Sequence, residues 1–145
     1  MPRPVLILLL VLAGYSSPGQ SFTTFNYSIE DGLPSSEVYE IFEDRNGFIW
    51  FATDHGVVKF DGEKMRVYQV KDGLTDPVVF GFQEDEKGRI WFRTFSGRLC
   101  YYEAGKFVPY PYNDQIVKIA RNGLVHFAYL ADRDEMWFSV RNRVG

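Results

Sequence analysis

The apolar and polar positions of this chain form a pattern that repeats. Residues 30–60 (EDGLPSSEVYEIFEDRNGFIWFATDHGVVKF) and residues 71–101 (KDGLTDPVVFGFQEDEKGRIWFRTFSGRLCY) align at one offset, since 91 − 50 and 73 − 32 both equal 41. Asp31, Gly32 and Leu33 recur as Asp72, Gly73 and Leu74, and Val38 as Val79. Glu43, Asp44 and Gly47 recur as Glu84, Asp85 and Gly88. Ile49, Trp50 and Phe51 recur as Ile90, Trp91 and Phe92, and Thr53 and Gly56 as Thr94 and Gly97. A third, degenerate copy runs from Asn122-Gly123-Leu124 to Met136-Trp137-Phe138, after an insertion at 112–121. It has lost the turn glycine, and its Asp132-Arg133-Asp134-Glu135 segment is one residue short.

Within a copy, short apolar runs are separated by turn signals, and no stretch carries the 3.6-residue period of an amphipathic helix. Copy one predicts strands over 38–43, 48–53, 57–60 and 65–70. Asp44-Arg45-Asn46-Gly47 and Asp54-His55-Gly56 read as turns, and Asp61-Gly62 as a hairpin. A strand-only period of about 40 residues is that of a β-propeller blade. The expected fold is therefore all-β, built of blades of four antiparallel strands. About three blades are present: blade one at about 30–70, blade two at about 71–112 and a degenerate blade three at about 122–145. An incomplete propeller leaves open edges, so the chain alone is expected to self-associate or to be poorly soluble.

Repetition assigns structural roles. Trp50, Trp91 and Trp137 sit at one point of the repeat, where large rings fill the space between blades. A stacking platform for sugar is the alternative, but a residue that serves every blade argues for core. Asp44 and Asp85 begin turns and accept backbone N–H bonds. Glu43, Asp44, Glu84 and Asp85 all recur, which argues against an acid–base pair for glycan cleavage, since a catalytic site is made once.

Composition adds exclusions. Net charge is −3, with no basic block for nucleic acid or for an anionic membrane surface. Two histidines, His55 and His126, lie in no catalytic motif, and no cluster suggests zinc, calcium or another cofactor. Cys100 is the single cysteine and lies in an apolar run, which predicts a buried, inert thiol. The N-terminus stands apart. Arg3, the apolar run 5–13 and the small polar stretch 14–20 have the layout of a secretory signal peptide, residues 1–19, with Ser17 and Gly19 before the cut. The apolar run is too short to span a bilayer.

In an up-and-down blade, the loop entering the first strand and the loop between the second and third share one end. Ser35, Ser36, Asp54 and His55 of blade one should therefore face Asp76, Phe95 and Ser96 of blade two. These loops vary while the frame repeats, which marks a candidate ligand-binding face.

The motif E-D-x-x-G-x-I-W-F-x-T-x-x-G, preceded by D-G-L, resembles the two-component regulator propeller repeat. The resemblance extends over about 22–144 and is weakest in the third copy; Ala52 and Arg93 replace the usual small residue. It implies the ligand-sensing periplasmic region of a two-component signal-transduction receptor, read here as an N-terminal part of one. The full-length protein is expected to be a homodimer anchored in the inner membrane, with a histidine kinase output. The implied ligand is an oligosaccharide or other small molecule. An exported propeller enzyme acting on polysaccharide, or a structural or adhesive repeat protein, are the alternatives.

Overall fold

Copies one and two of the repeat each fold into one four-stranded antiparallel sheet with its strands in sequence order. The computed structural model describes residues 23–120, 124–130 and 135–141. The signal-peptide reading of residues 1–19 and the shortened turn at Asp132 to Asp134 lie outside them. Blade one consists of β1 (Val38–Glu43), β2 (Ile49–Thr53), β3 (Gly56–Phe60) and β4 (Met65–Tyr68). Blade two consists of β5 (Val79–Glu84), β6 (Ile90–Thr94), β7 (Cys100–Glu103) and β8 (Lys106–Pro109). The third repeat contributes a two-stranded sheet of β9 (Leu124–Leu130) and β10 (Glu135–Arg141).

The two blades pack face to face. Trp50, Ala52, Val57 and Tyr68 of blade one meet Val79, Phe82, Ile90, Phe92, Cys100 and Phe107 of blade two in one core. Trp50 is fully buried there, its ring near those of Phe82, Phe92 and Tyr102. Cys100 is enclosed in the same core, and burial pushes its thiol pKa up, as an inert thiol requires.

The recurring motif residues explain why each blade forms. Asp44 Oδ1 accepts the turn N–H groups of Asn46 and Phe48, and Oδ2 accepts the Trp50 indole N–H at 2.9 Å. Asp85 repeats the device on Arg89 and Trp91, the indole at 2.8 Å. One carboxylate thus closes the turn and satisfies the polar edge of a buried ring. Burial works against ionisation of Asp85, but bonds from the Trp91 indole and from the backbone and guanidinium of Arg89 outweigh it and hold the carboxyl below its usual range. The D-G-L motif is a 3-10 turn at 29–31 and again at 70–72, closed by Gly32 and Gly73 in the left-handed region. The leucines that follow, Leu33 and Leu74, are buried in the cores behind them.

Two ties lock the blades at their inner strands. Arg45 reaches across to the Glu84 carboxylate and to the backbone carbonyls of Asp85 and Glu86. Glu40 crosses over Gly81 to accept from Arg93 at 3.0 Å and from the Phe82 N–H. A Cβ at Gly81 would run into both charged groups.

Three expectations are corrected. Residues 113–120 form a helix, α1 (Asn113–Ala120), inside the insertion that read as link. It buries Ile116 and Ala120 against Leu99 and Val125, and Asn113 bonds both backbone groups of Leu99. Its inward residues are too few to set a helical period, and its β-branched residues favour strand. Asp61-Gly62 belongs to a longer turn, closed from Asp61 to Lys64 and capped by the Asp61 carboxylate, and not to a two-residue hairpin. Trp137 differs from the other two tryptophans: it is 57% exposed and bonds Glu135.

Candidate functional site

Antiparallel hairpins put the entry loop of each blade and its second turn at the same end, and hydrogen bonds join these loops across the blade boundary. The Gly56 N–H donates to the Pro77 carbonyl, linking the β2–β3 turn of blade one to the entry loop of blade two. In blade two, Asp76 accepts from the Val78 N–H at 2.8 Å and from the Ser96 N–H at 2.9 Å. The seven residues singled out in the sequence therefore lie along one continuous band.

Their roles differ. Ser35 is buried; its hydroxyl accepts the Glu37 N–H and bonds the Asp54 carboxylate. That bond first, and the neighbouring His55 second, hold Asp54 below its ordinary pKa. His55 Nδ1 lies 2.9 Å from Asp54 Oδ1, with its ring largely in solvent. Asp76 is also buried and shapes the loops. Ser36, His55, Phe95 and Ser96 are exposed, so a ligand can reach them. Serine, aspartate and histidine do meet here, but the carboxylate stands between the other two. A triad needs the imidazole next to the hydroxyl it deprotonates. His126 lies on β9, opposite Ser139.

The band contains a feature the sequence reading missed. Tyr39, Phe80 and Phe95 form a ladder of edge-to-face rings, with centroids 5.1 Å and 6.1 Å apart. Tyr39 is 44% exposed and Phe95 61% exposed. The Tyr39 hydroxyl donates to Glu37 at 3.0 Å; that bond, with the added negative charges of Glu37 and Asp54, raises its pKa. The ladder straddles both blades, because Tyr39 is the second residue of the inner strand of one and Phe80 that of the other. The signal for it was present: Tyr39 and Phe80 are one offset apart, aromatic in both copies beside a recurring valine. Phe95 replaces Asp54 at the equivalent position, so the third ring is particular to blade two.

The second turns also differ in length. Register in blade one pairs Thr53 with Gly56, whereas the last pair of blade two is Phe92 with Cys100. The blade-two loop thus holds one more residue, and beyond Gly97 the repeat offset becomes 42, as Phe60 matching Tyr102 shows. Exposed rings flanked by carboxylate and hydroxyl acceptors can stack on the C–H face of a sugar or another ring while accepting bonds from its hydroxyls. Among the described residues, no group of three or more His, Cys, Asp or Glu side chains gathers to hold a metal.

Residues 32–55 match the model of the two component regulator propeller family. A solved structure of the extracellular domain of a hybrid two component system from B. thetaiotaomicron is similar at 31% identity and a TM-score of 0.56. The match covers 63% of this chain and 14% of that one. The extracellular domain of a one component system from the same organism matches at 22% identity and a TM-score of 0.48, over 57% of this chain and 13% of its own. No curated protein matches. The chain carries a two-component regulator propeller repeat, its blades are those of a partial propeller, and it spans about one seventh of the solved domains it resembles.

Proposed function

We propose, with the two component regulator propeller repeat as premise, that this chain is part of the ligand-sensing region of a two-component signal-transduction receptor. The observation that carries the reading is the repeat at 32–55 in a fold shared, at 31% identity, with an extracellular domain of a hybrid two component system. Export by a signal peptide at 1–19 and a periplasmic location fit that relative and the N-terminal sequence. In this reading the chain is the N-terminal part of a longer, membrane-anchored, homodimeric receptor with a histidine kinase output. The fragment itself supplies binding and no catalysis.

The ligand contacts the loop band. Tyr39, Phe80 and Phe95 provide ring faces, while Ser36, His55, Ser96 and the Glu37 carboxylate provide polar contacts. An oligosaccharide suits this set, since sugars offer apolar C–H faces and hydroxyls at once. Binding favours one of two receptor states by the difference in its affinity for them. The test is a reporter response from the receptor that contains this region, challenged with a panel of oligosaccharides. Phe95→Ala and His55→Ala should each weaken the response while leaving the melting temperature unchanged. An unchanged response in both variants removes the site.

A further inference from the structure

We infer that Glu40 and Arg93 are positioning residues for the ring ladder: their ion pair fixes, one against the other, the two β-bulges that aim Tyr39 and Phe80. The geometry stands on contacts between blades one and two; its bearing on a ligand rests on the sensor reading proposed above.

Both inner-strand rings sit where a strand gains an extra residue. In blade one Val38 pairs with Thr53 and Glu40 with Ala52, so Tyr39 falls between two successive partners. In blade two Val79 pairs with Thr94 and Gly81 with Arg93, and Phe80 falls between them in the same way. A bulge bends its strand and re-aims the side chain beside it. Tyr39 and Phe80 thereby meet edge to face across the blade boundary, centroids 5.1 Å apart. Each bulge belongs to its own sheet, so holding one ring against the other takes a contact that crosses between sheets.

Glu40 and Arg93 supply that contact beside the rings. Arg93 Nη2 donates to Glu40 Oε2 at 3.0 Å and to the Phe80 carbonyl at 3.4 Å. Glu40 Oε1 accepts the Phe82 N–H at 3.2 Å. From the residue that follows Tyr39, the pair thus grips β5 on both sides of Gly81. Charge-assisted bonds of this kind fix direction as well as distance. The pair is no part of the repeating frame: at the repeat offset Glu40 matches Gly81, and Arg93 matches Ala52. A Cβ on Gly81 would run into Glu40 Oε2 and Arg93 Nη2. Gly81 does not have the positive φ of the turn glycines, so its missing side chain serves to admit the pair. The other tie between blades, Arg45 to Glu84, joins the β1–β2 turn to the far end of β5.

The test places 4-fluorophenylalanine at position 80 of the chain and follows its fluorine resonance, which reads the neighbouring rings directly. Arg93→Ala and Gly81→Ala should each shift the resonance, and Arg93→Lys should shift it less. Arg45→Ala, which also breaks an ion pair between blades, should leave it in place. Circular dichroism checks that each variant is folded; Gly81→Ala, which keeps both charges, carries the test if Arg93→Ala does not fold. A resonance unmoved in the folded Arg93 and Gly81 variants overturns the inference, and so does an equal shift in Arg45→Ala. The second arm is the reporter response of the receptor to cello-, xylo- and manno-oligosaccharides. Arg93→Ala should raise the half-maximal concentration by roughly two- to tenfold, the worth of one aligned ring contact, and leave the maximal response unchanged. A response weakened by Phe95→Ala but untouched by Arg93→Ala overturns the inference. A response weakened by neither removes the loop band as the ligand site, while a shifted resonance still upholds the hold of the pair on the ladder.

Discussion

The two ends of each blade are built under different constraints. At the end that carries the β1–β2 and β5–β6 turns, copies one and two are nearly superimposable in chemistry. Asp44 and Asp85 each close a turn and hold an indole six residues on, and Arg45 ties one turn to the next. At the opposite end the loops share only their frame. Thr53 accepts the His55 N–H and donates to the Gly56 carbonyl, and Thr94 donates to the Arg98 carbonyl, but the residues between differ in identity and number. The first end is wired to the core, so substitution there is felt by the whole blade. The second is wired through its threonines, Ser35, Asp76 and the bond from the Gly56 N–H to the Pro77 carbonyl, and its remaining side chains are free to differ. The ring ladder and His55 lie at that free end.

Six substitutions would break or sharpen this contrast. Trp50→Ala should have the largest effect, about 3–5 kcal/mol of stability by urea titration, because the ring fills the space between two blades. A loss under about 1 kcal/mol would mean that the blades are not held by this core. Asp85→Asn should cost about 1–3 kcal/mol, since it removes the charge that three donors converge on and weakens the satisfaction of a buried indole.

That second variant also carries a pH signature. The Asp85 pKa is depressed in the folded state, so the unfolded chain takes up the proton first as pH falls. Its stabilisation is complete above the unfolded carboxylate value, about 3.9. It is lost as pH drops from there through the lower folded value. Acid titrations of stability should therefore decline less steeply for Asp85→Asn than for the parent; parallel curves would argue against the bond network.

Gly56→Ala should cost at least about 1 kcal/mol, because its φ of 111° is left-handed and a Cβ there would run into the Tyr68 carbonyl oxygen. Gly62→Ala, with φ 97° and open space around it, bears only the conformational part and should cost less in the same melt. Equal losses would show that the close approach relaxes. At the free end, Phe95→Ala and His55→Ala should move stability by no more than about 0.5 kcal/mol.

Much of this was legible in the sequence because it repeats. Strands read at 38–43 and 65–70, the latter ending at Tyr68 before the 3-10 turn at 70–72, and the turns at 44–47 and 54–56 follow from apolar runs and from glycines at fixed offsets. The face shared by Ser35, Asp54, Asp76 and Ser96 follows from topology alone. What was not legible depends on reach through space. The Asp44–Trp50 and Asp85–Trp91 bonds join residues that sequence assigned separate duties, one to the turn and one to the core. Ser35 and Asp76 are among the candidate ligand residues, but burial and turn bonds already engage them. Helix α1 escaped because a short helix with so few buried residues sets no period. Trp137 shows the limit of arguing from a repeat: the position is equivalent, yet the ring is buried only where a following blade covers it.

The central claim is that the loop end bearing Tyr39, Phe80 and Phe95 meets the ligand, while the opposite end only holds the blades together. The most direct measurement compares the reporter response of the receptor carrying Tyr39→Ala and Phe95→Ala together with that carrying Arg45→Ala, each checked for an intact melting transition. The account predicts that the ladder variant loses the response to an activating oligosaccharide and that the Arg45 variant keeps it. A ladder variant that responds at parental ligand concentrations would contradict it.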